Sequence, residues 1–157
     1  MTNDHNQVVI KRPILLVEDN PMDVDLTIQA CRELGITHQI EVCRDGEEAL
    51  EYIKSHPSAA DAKFPALVLL DLRMPKVSGF EVLTAARGDV NWRQVPIVVL
   101  TTSTQLSDVN AAYENGVNSY LVKPVDSSDF ASLMQAVNIY WLQANHPPYP
   151  TLIGRIL

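Results

Sequence analysis

The sequence predicts an α/β fold in which a five-stranded parallel sheet is covered by helices on both faces. Short apolar runs, Ile14-Leu15-Leu16-Val17, Leu67-Val68-Leu69-Leu70, Ile97-Val98-Val99-Leu100 and Tyr120-Leu121-Val122, have the near-continuous hydrophobicity of strands buried on both sides. Segments with helical spacing of apolar residues separate them, and that alternation implies right-handed crossovers. Each run also ends in a residue able to do chemistry: Glu18-Asp19, Asp71, Thr101 and Lys123. In an open α/β sheet, ligands bind just beyond the carboxyl ends of the strands.

The elements follow in order. Residues 1–11 form a polar arm, and a first strand covers about residues 13–18. Asn20-Pro21 supplies a cap and a first-turn proline for a helix carrying Val24, Ile28 and Cys31 on one face, ended by Gly35. Ile40-Glu41-Val42-Cys43 alternates in the manner of a strand near the sheet edge. Asp45 and Glu48 pair as a cap for a helix bearing Ala49, Leu50 and Ile53, and residues 55–65 form a long surface loop. After the strand at about 66–71, a turn through Leu72-Arg73-Met74-Pro75-Lys76 leads to a helix opened by Gly79 and bearing Phe80 and Leu83. Residues 88–96 lead to the next strand. Ser107 is the expected cap of a short helix bearing Val109, Ala112 and Tyr113, stopped by Asn115-Gly116. A strand at about 118–122 precedes a last helix, capped by Asp126, with Phe130, Leu133, Met134, Val137, Tyr140 and Trp141 at helical spacing. The tail from about His146 is expected to be extended.

At 157 residues the chain fits one domain with a real core. A net charge of −7 offers no basic stripe for nucleic acid or an anionic membrane surface. No apolar stretch approaches the ~20 residues that span a bilayer, and residues 1–7 lack the layout of a secretory signal. A cytoplasmic protein is expected. Cys31 and Cys43 read as small buried hydrophobes, and His5, His38, His56 and His146 as exposed residues without ligand spacing.

Adjacent strands would bring Glu18, Asp19 and Asp71 within a few ångströms of one another. Two unit charges ~4 Å apart repel by about 4 kcal/mol at an effective dielectric near 20, so such a cluster calls for a proton or a cation. Oxygen-only donors in a wet pocket favour a hard ion such as Mg²⁺, with the backbone carbonyl of Arg73 as a further ligand. Carboxylate nucleophiles form aspartyl phosphates, and phosphoryl transfer needs positioning and charge stabilisation above all. Lys123 would face a phosphoryl oxygen with a point charge, and Thr101 with a hydrogen bond.

Val17-Glu18-Asp19-Asn20, Leu70-Asp71-Leu72-Arg73-Met74-Pro75 with Gly79, Leu100-Thr101-Thr102-Ser103 and Val122-Lys123-Pro124 resemble the signature of response-regulator receiver domains. The resemblance spans about residues 12–143 and leaves residues 144–157 as a C-terminal extension. It implies the flavodoxin-like (βα)5 receiver fold with strand order 2-1-3-4-5. It further implies Asp71 as phosphoacceptor, and Asp19 and Asp71 as direct Mg²⁺ ligands with Glu18 acting through water. Thr101 and Lys123 then contact the phosphoryl group, Tyr120 is an aromatic switch that turns inward as Thr101 moves, and the Lys123–Pro124 bond is cis. Arg73 and Ser103 stand where dephosphorylation rates are influenced. Residues 144–157 are too few for an output domain, so a stand-alone receiver is expected.

The Leu100-Thr101-Thr102-Ser103 run, the long loop before the third strand, Asn91-Trp92 and Tyr140-Trp141-Leu142 are similar to the small receivers paired with bacterial phytochrome histidine kinases. That likeness implies a phytochrome-type kinase as partner. It also implies a homodimer formed through the fourth helix, fifth strand, fifth helix and C-terminal extension, although Tyr140 and Trp141 could equally finish the core of the last helix. A flavin site would want Ser, Thr or Gly after the first strand, where this chain is acidic. A dinucleotide site would want G-x-G-x-x-G, which is absent. An aspartyl-phosphate phosphatase would carry its nucleophile on the first strand, as D-x-D. A pseudo-receiver or adaptor, binding partners independently of phosphorylation, would have lost a core residue; none is missing.

Overall fold

The computed structural model describes residues 8–156. In chain order the elements are β1 (Val8–Lys11), β2 (Ile14–Val17), α1 (Pro21–Glu33), β3 (Ile40–Cys43), α2 (Gly46–Ser55), β4 (Leu67–Leu70) and α3 (Gly79–Gly88). They continue with β5 (Ile97–Thr101), α4 (Leu106–Glu114), β6 (Ser119–Val122), α5 (Ser127–Val137) and β7 (Leu152–Ile156). The five central strands form one parallel sheet in the order β3-β2-β4-β5-β6. With β2 counted as first, that is the order 2-1-3-4-5.

Two apolar layers sandwich the sheet. Leu15, Val17, Val68, Leu70, Ile97 and Val99 face α2 and α3. Ile14, Leu16, Leu67, Leu69, Val98 and Leu100 alternate with them toward α1 and α5. The expected caps hold: the Asn20 side chain accepts the Met22 N–H at 2.9 Å, Asp45 accepts that of Glu48 at 2.8 Å, and Asp126 that of Ser128 at 2.8 Å. Gly35 and Gly116 take positive φ where α1 and α4 stop. Cys31 and Cys43 are free and buried, and desolvation pushes their thiols up to about 11 and about 12, so both stay protonated.

Several local expectations are corrected. Ser107 does not cap α4: Gln105 holds the cap position without a side-chain bond, and the Ser103 hydroxyl accepts the Gln105 N–H instead. The last helix loosens after Val137 into a π-helical segment, Asn138–Ala144, leaving Tyr140 exposed while Trp141 packs on the core. The Lys123–Pro124 bond is trans, the isomer X–Pro bonds favour by about 0.5–1 kcal/mol in the absence of a packing constraint. His38 and His56 are half-buried rather than exposed, with Nδ1 at 2.7 Å from the Arg12 carbonyl and 2.8 Å from the Asp61 carboxylate respectively. His5 lies outside the described residues.

The tail is not merely extended, since β7 pairs antiparallel with β1 in a separate two-stranded sheet. Arg12 fastens this ribbon to the long loop. Its buried guanidinium donates to the carbonyls of Pro150, Ala59 (2.6 Å) and Asp61 (2.8 Å). Tyr149 stacks edge-on against Phe64 at 5.2 Å, and Phe64 against the buried Trp92 at 5.3 Å. The Trp92 indole N–H donates to the His56 carbonyl at 2.9 Å, so both ends of the loop are held.

Candidate functional site

The parallel ladder runs one residue past several strand ends and so fixes the polar groups there. The Glu18 N–H donates to the Cys43 carbonyl at 3.0 Å, that of Asp71 to Val17 at 3.0 Å, and that of Lys123 to Thr101 at 2.7 Å. Gly79 lets α3 start against this rim: a Cβ there would lie 2.1 Å from the Asp71 carbonyl oxygen and 2.7 Å from Leu72 Cα. Both obstacles are backbone, so only glycine fits. Between them the loop places Lys76 at a φ of 64°, an uncommon conformation for a side-chain-bearing residue.

Glu18, Asp19 and Asp71 each bring a carboxylate oxygen into a group whose members lie within 4.8 Å of one another, the one such cluster among the described residues. Glu18 and Asp71 are buried; Asp19 is half-buried. The Lys123 ammonium lies 2.6 Å from Glu18 Oε2 and 3.0 Å from Asp23 Oδ2. Thr101 is fully buried at the end of β5. Glu18 also accepts the Asn20 N–H at 3.1 Å, which ties the acidic pair to the start of α1.

Burial sets the electrostatics. Desolvation, helped by the neighbouring Asp71 charge and resisted by Lys123, lifts the Glu18 carboxyl to about 7. Asp71 is raised as well, again by burial first and by Asp19, against the Lys123 charge, the Arg73 N–H and the Thr101 hydroxyl. Burial lowers the Lys123 ammonium, but Glu18, Asp71 and Asp23 together outweigh it and the net shift is upward. One ammonium thus faces several carboxylates, two of them desolvated. An oxygen-only donor set under that strain fits a hard divalent cation, which would relieve it.

Among the residues predicted from sequence, the fold brings Glu18, Asp19, Asp71 and Lys123 together, with Thr101 beside Asp71. Tyr120 is half-buried, and its hydroxyl donates to the Ser103 carbonyl at 2.9 Å. Arg73 directs its guanidinium at Asp108, 2.5 Å away. Two participants were missed. Asp23, which holds Lys123, lies in the first turn of α1, four residues after Asp19, and that nearness in sequence to the acidic pair could have flagged it. Asp108 reads in sequence as an ordinary acidic residue of a helix first turn.

The family description "Response regulator receiver domain" matches residues 14–137. The chain is 45% identical over 137 residues to the "Probable methanogenesis regulatory protein FilR2" of Methanothrix harundinacea, covering 87% of this chain and 88% of that protein. It is 36% identical over 130 residues to "Response regulator Rcp1" of Synechocystis, covering 83% and 88%. The solved Mn²⁺-bound form of response regulator Rcp1 superposes with a TM-score of 0.79 at 35% identity, covering 87% of this chain and 99% of that one. The phosphorylated cyanobacterial phytochrome response regulator RcpA superposes with a TM-score of 0.81 at 34% identity, covering 88% and 99%.

Proposed function

Because the chain belongs to the response regulator receiver domain family and is a two-component response regulator, we propose that Asp71 is its phosphoacceptor and that Mg²⁺ is its ion. The observation that carries this reading is the convergence of Glu18, Asp19 and Asp71 with Lys123 beyond the ends of β2, β4 and β6, beside buried Thr101. An Asp71 carboxylate oxygen attacks the phosphorus of a phosphohistidine, and the P–N bond breaks with its electron pair returning to the imidazole. Thr101 donates a hydrogen bond to the transferring group, and Lys123 meets its charge. Asp19, Asp71 and the Arg73 carbonyl would hold the ion directly, with Glu18 reaching it through water. When bound, that ion offsets the repulsion between carboxylate and phosphoryl oxygens. The protein is not an enzyme in its own right, but it assists its own phosphorylation and dephosphorylation.

Intact-mass measurement after incubation with acetyl phosphate and Mg²⁺ tests this. One added phosphoryl group in the native chain and none in Asp71→Asn is expected. A native chain that gains none would favour the adaptor reading, in which partners bind without phosphorylation.

The likeness to Rcp1 and RcpA supports a phytochrome-type histidine kinase as the donor. The name of FilR2 favours a second reading, a kinase with a different sensor; phosphotransfer from a phytochrome kinase in light and dark separates the two. For output we assign the α4–β6–α5 face, where Leu106, Tyr113, Val122 and Tyr140 are exposed and Tyr140 lines a cavity of about 370 Å³ together with Leu121, Val137 and Trp141. Exposed apolar residues of this kind suit a homodimer. Sedimentation with and without beryllofluoride tests whether the dimer answers to phosphorylation. No described helix is long and apolar enough to cross a membrane; a cytoplasmic location and the absence of nucleic-acid binding belong to the same proposal.

A further inference from the structure

We propose that Asp108 is a positioning residue that latches the loop carrying Asp71 to the loop carrying Thr101, and thereby slows removal of the phosphoryl group by water. The inference rests on the reading of Asp71 as phosphoacceptor. One oxygen, Asp108 Oδ2, lies 2.5 Å from both Arg73 Nη2 and Ser103 Oγ. Arg73 follows Asp71 by two residues, and its N–H lies 3.5 Å from Asp71 Oδ1. Ser103 follows Thr101 by two residues, and its N–H lies 3.4 Å from Thr101 Oγ1. The contacts thus run from Asp71 through Arg73, Asp108 and Ser103 to Thr101, around the flank of the pocket opposite the acidic pair. Tyr120 closes the ring from outside by donating to the Ser103 carbonyl.

A plain helix cap would not need this arrangement. With no side-chain cap at Gln105, the Ser103–Asp108 bond does secure the first turn of α4. Capture of Arg73, whose side chain is 59% exposed and could reach water, adds nothing to that task. What it adds is a bridge between two loops. Asp108 is itself buried, and hydrogen bonds from Ser103 and Arg73 hold its carboxyl below the ordinary value, so the bridge stays charged.

During dephosphorylation a water oxygen attacks phosphorus while the bond to the Asp71 oxygen breaks. The carboxylate is regenerated, and inorganic phosphate leaves with the water's protons shared between it and solvent. The Arg73–Asp108–Ser103 bridge fences one side of that approach. It also restrains the loop that must move if Thr101 shifts toward the phosphoryl group, so α4 feels the occupancy of Asp71 through one carboxylate.

A double-mutant cycle on the first-order decay of the phosphorylated chain tests the latch. Asp108→Asn and Arg73→Gln should each speed decay about tenfold, the order expected for losing one charge-assisted hydrogen bond. The double variant should decay no faster than either single one, whereas independent effects would multiply toward about a hundredfold. Asp108→Glu should restore decay to within about twofold of native, and Asp108→Asn should bind Mg²⁺ as the native chain does. Unchanged decay in the single variants, or multiplicative effects in the double, overturns the latch and leaves Asp71 as acceptor intact. Failure of the native chain to take up any phosphoryl group overturns both.

Discussion

Raising the pH from 6 to 8 should tighten Mg²⁺ binding about tenfold, because Glu18 must give up a proton before the pocket reaches its full negative charge. In the metal-free protein burial holds that carboxyl at about 7. It is then about one-tenth ionised at pH 6 and about nine-tenths at pH 8, a ratio worth ~1.4 kcal/mol of apparent affinity. Asp71 is raised in the same direction and steepens the dependence. The sign for folding follows from the same shift. A carboxyl raised in the folded state keeps its proton between its ordinary value of about 4.5 and about 7, where the unfolded chain has already lost its own. The Glu18 contribution to metal-free stability is therefore full below that window and is lost as pH climbs through it. Calorimetric titration of Mg²⁺ at pH 7 in two buffers of different ionisation enthalpy should report release of about half a proton per ion bound from Glu18. Glu18→Gln should release correspondingly less and flatten the pH profile. An affinity independent of pH, or a Glu18→Gln profile identical to the native one, would mean that Glu18 carries no proton to give up in this range.

Other outcomes follow from particular contacts. Gly79→Ala forces a Cβ to within 2.1 Å of the Asp71 carbonyl oxygen; it should lower the urea-derived stability by about 1–3 kcal/mol and slow phosphorylation by moving the Asp71 rim. Arg12→Met strands the carbonyls of Ala59 and Asp61; it should cost about 2 kcal/mol in the same assay and expose the 56–66 loop to protease. Lys123→Met removes the ammonium from Glu18 and Asp23. Acetyl phosphate should then modify the chain about a hundredfold more slowly, measured by intact mass against time.

The parallel sheet was legible because its strands are buried on both faces and so read as unbroken apolar runs, with caps at Asn20, Asp45 and Asp126 marking where helices begin. The acidic cluster was legible for a related reason: strand order alone carries Glu18, Asp19 and Asp71 to one rim. What escaped the sequence depends on long-range pairing. Nothing local in Val8–Lys11 announces a partner in Leu152–Ile156, and nothing in Arg12 reveals that its charge is met by loop carbonyls. Asp23 and Asp108 escaped because an acidic residue in a helix first turn already has a sufficient local explanation in the helix dipole. Ser107 reads as a cap only because it adjoins the apolar spacing of α4; the hydroxyl that bonds to the start of α4 is that of Ser103, from the preceding loop. The π-helical break after Val137 left no mark in the apolar spacing, since Trp141 still packs where a regular helix would have put it.

Chemical trapping of the acyl phosphate tests directly whether Asp71 is the phosphoacceptor. After phosphorylation by acetyl phosphate with Mg²⁺, borohydride reduces an aspartyl phosphate to homoserine, and peptide mapping then locates it. A single homoserine at position 71 is expected, absent without Mg²⁺ and absent in Asp71→Asn. Homoserine at position 19 or 23, or at no position in a chain that has gained phosphate, would overturn Asp71 as the acceptor.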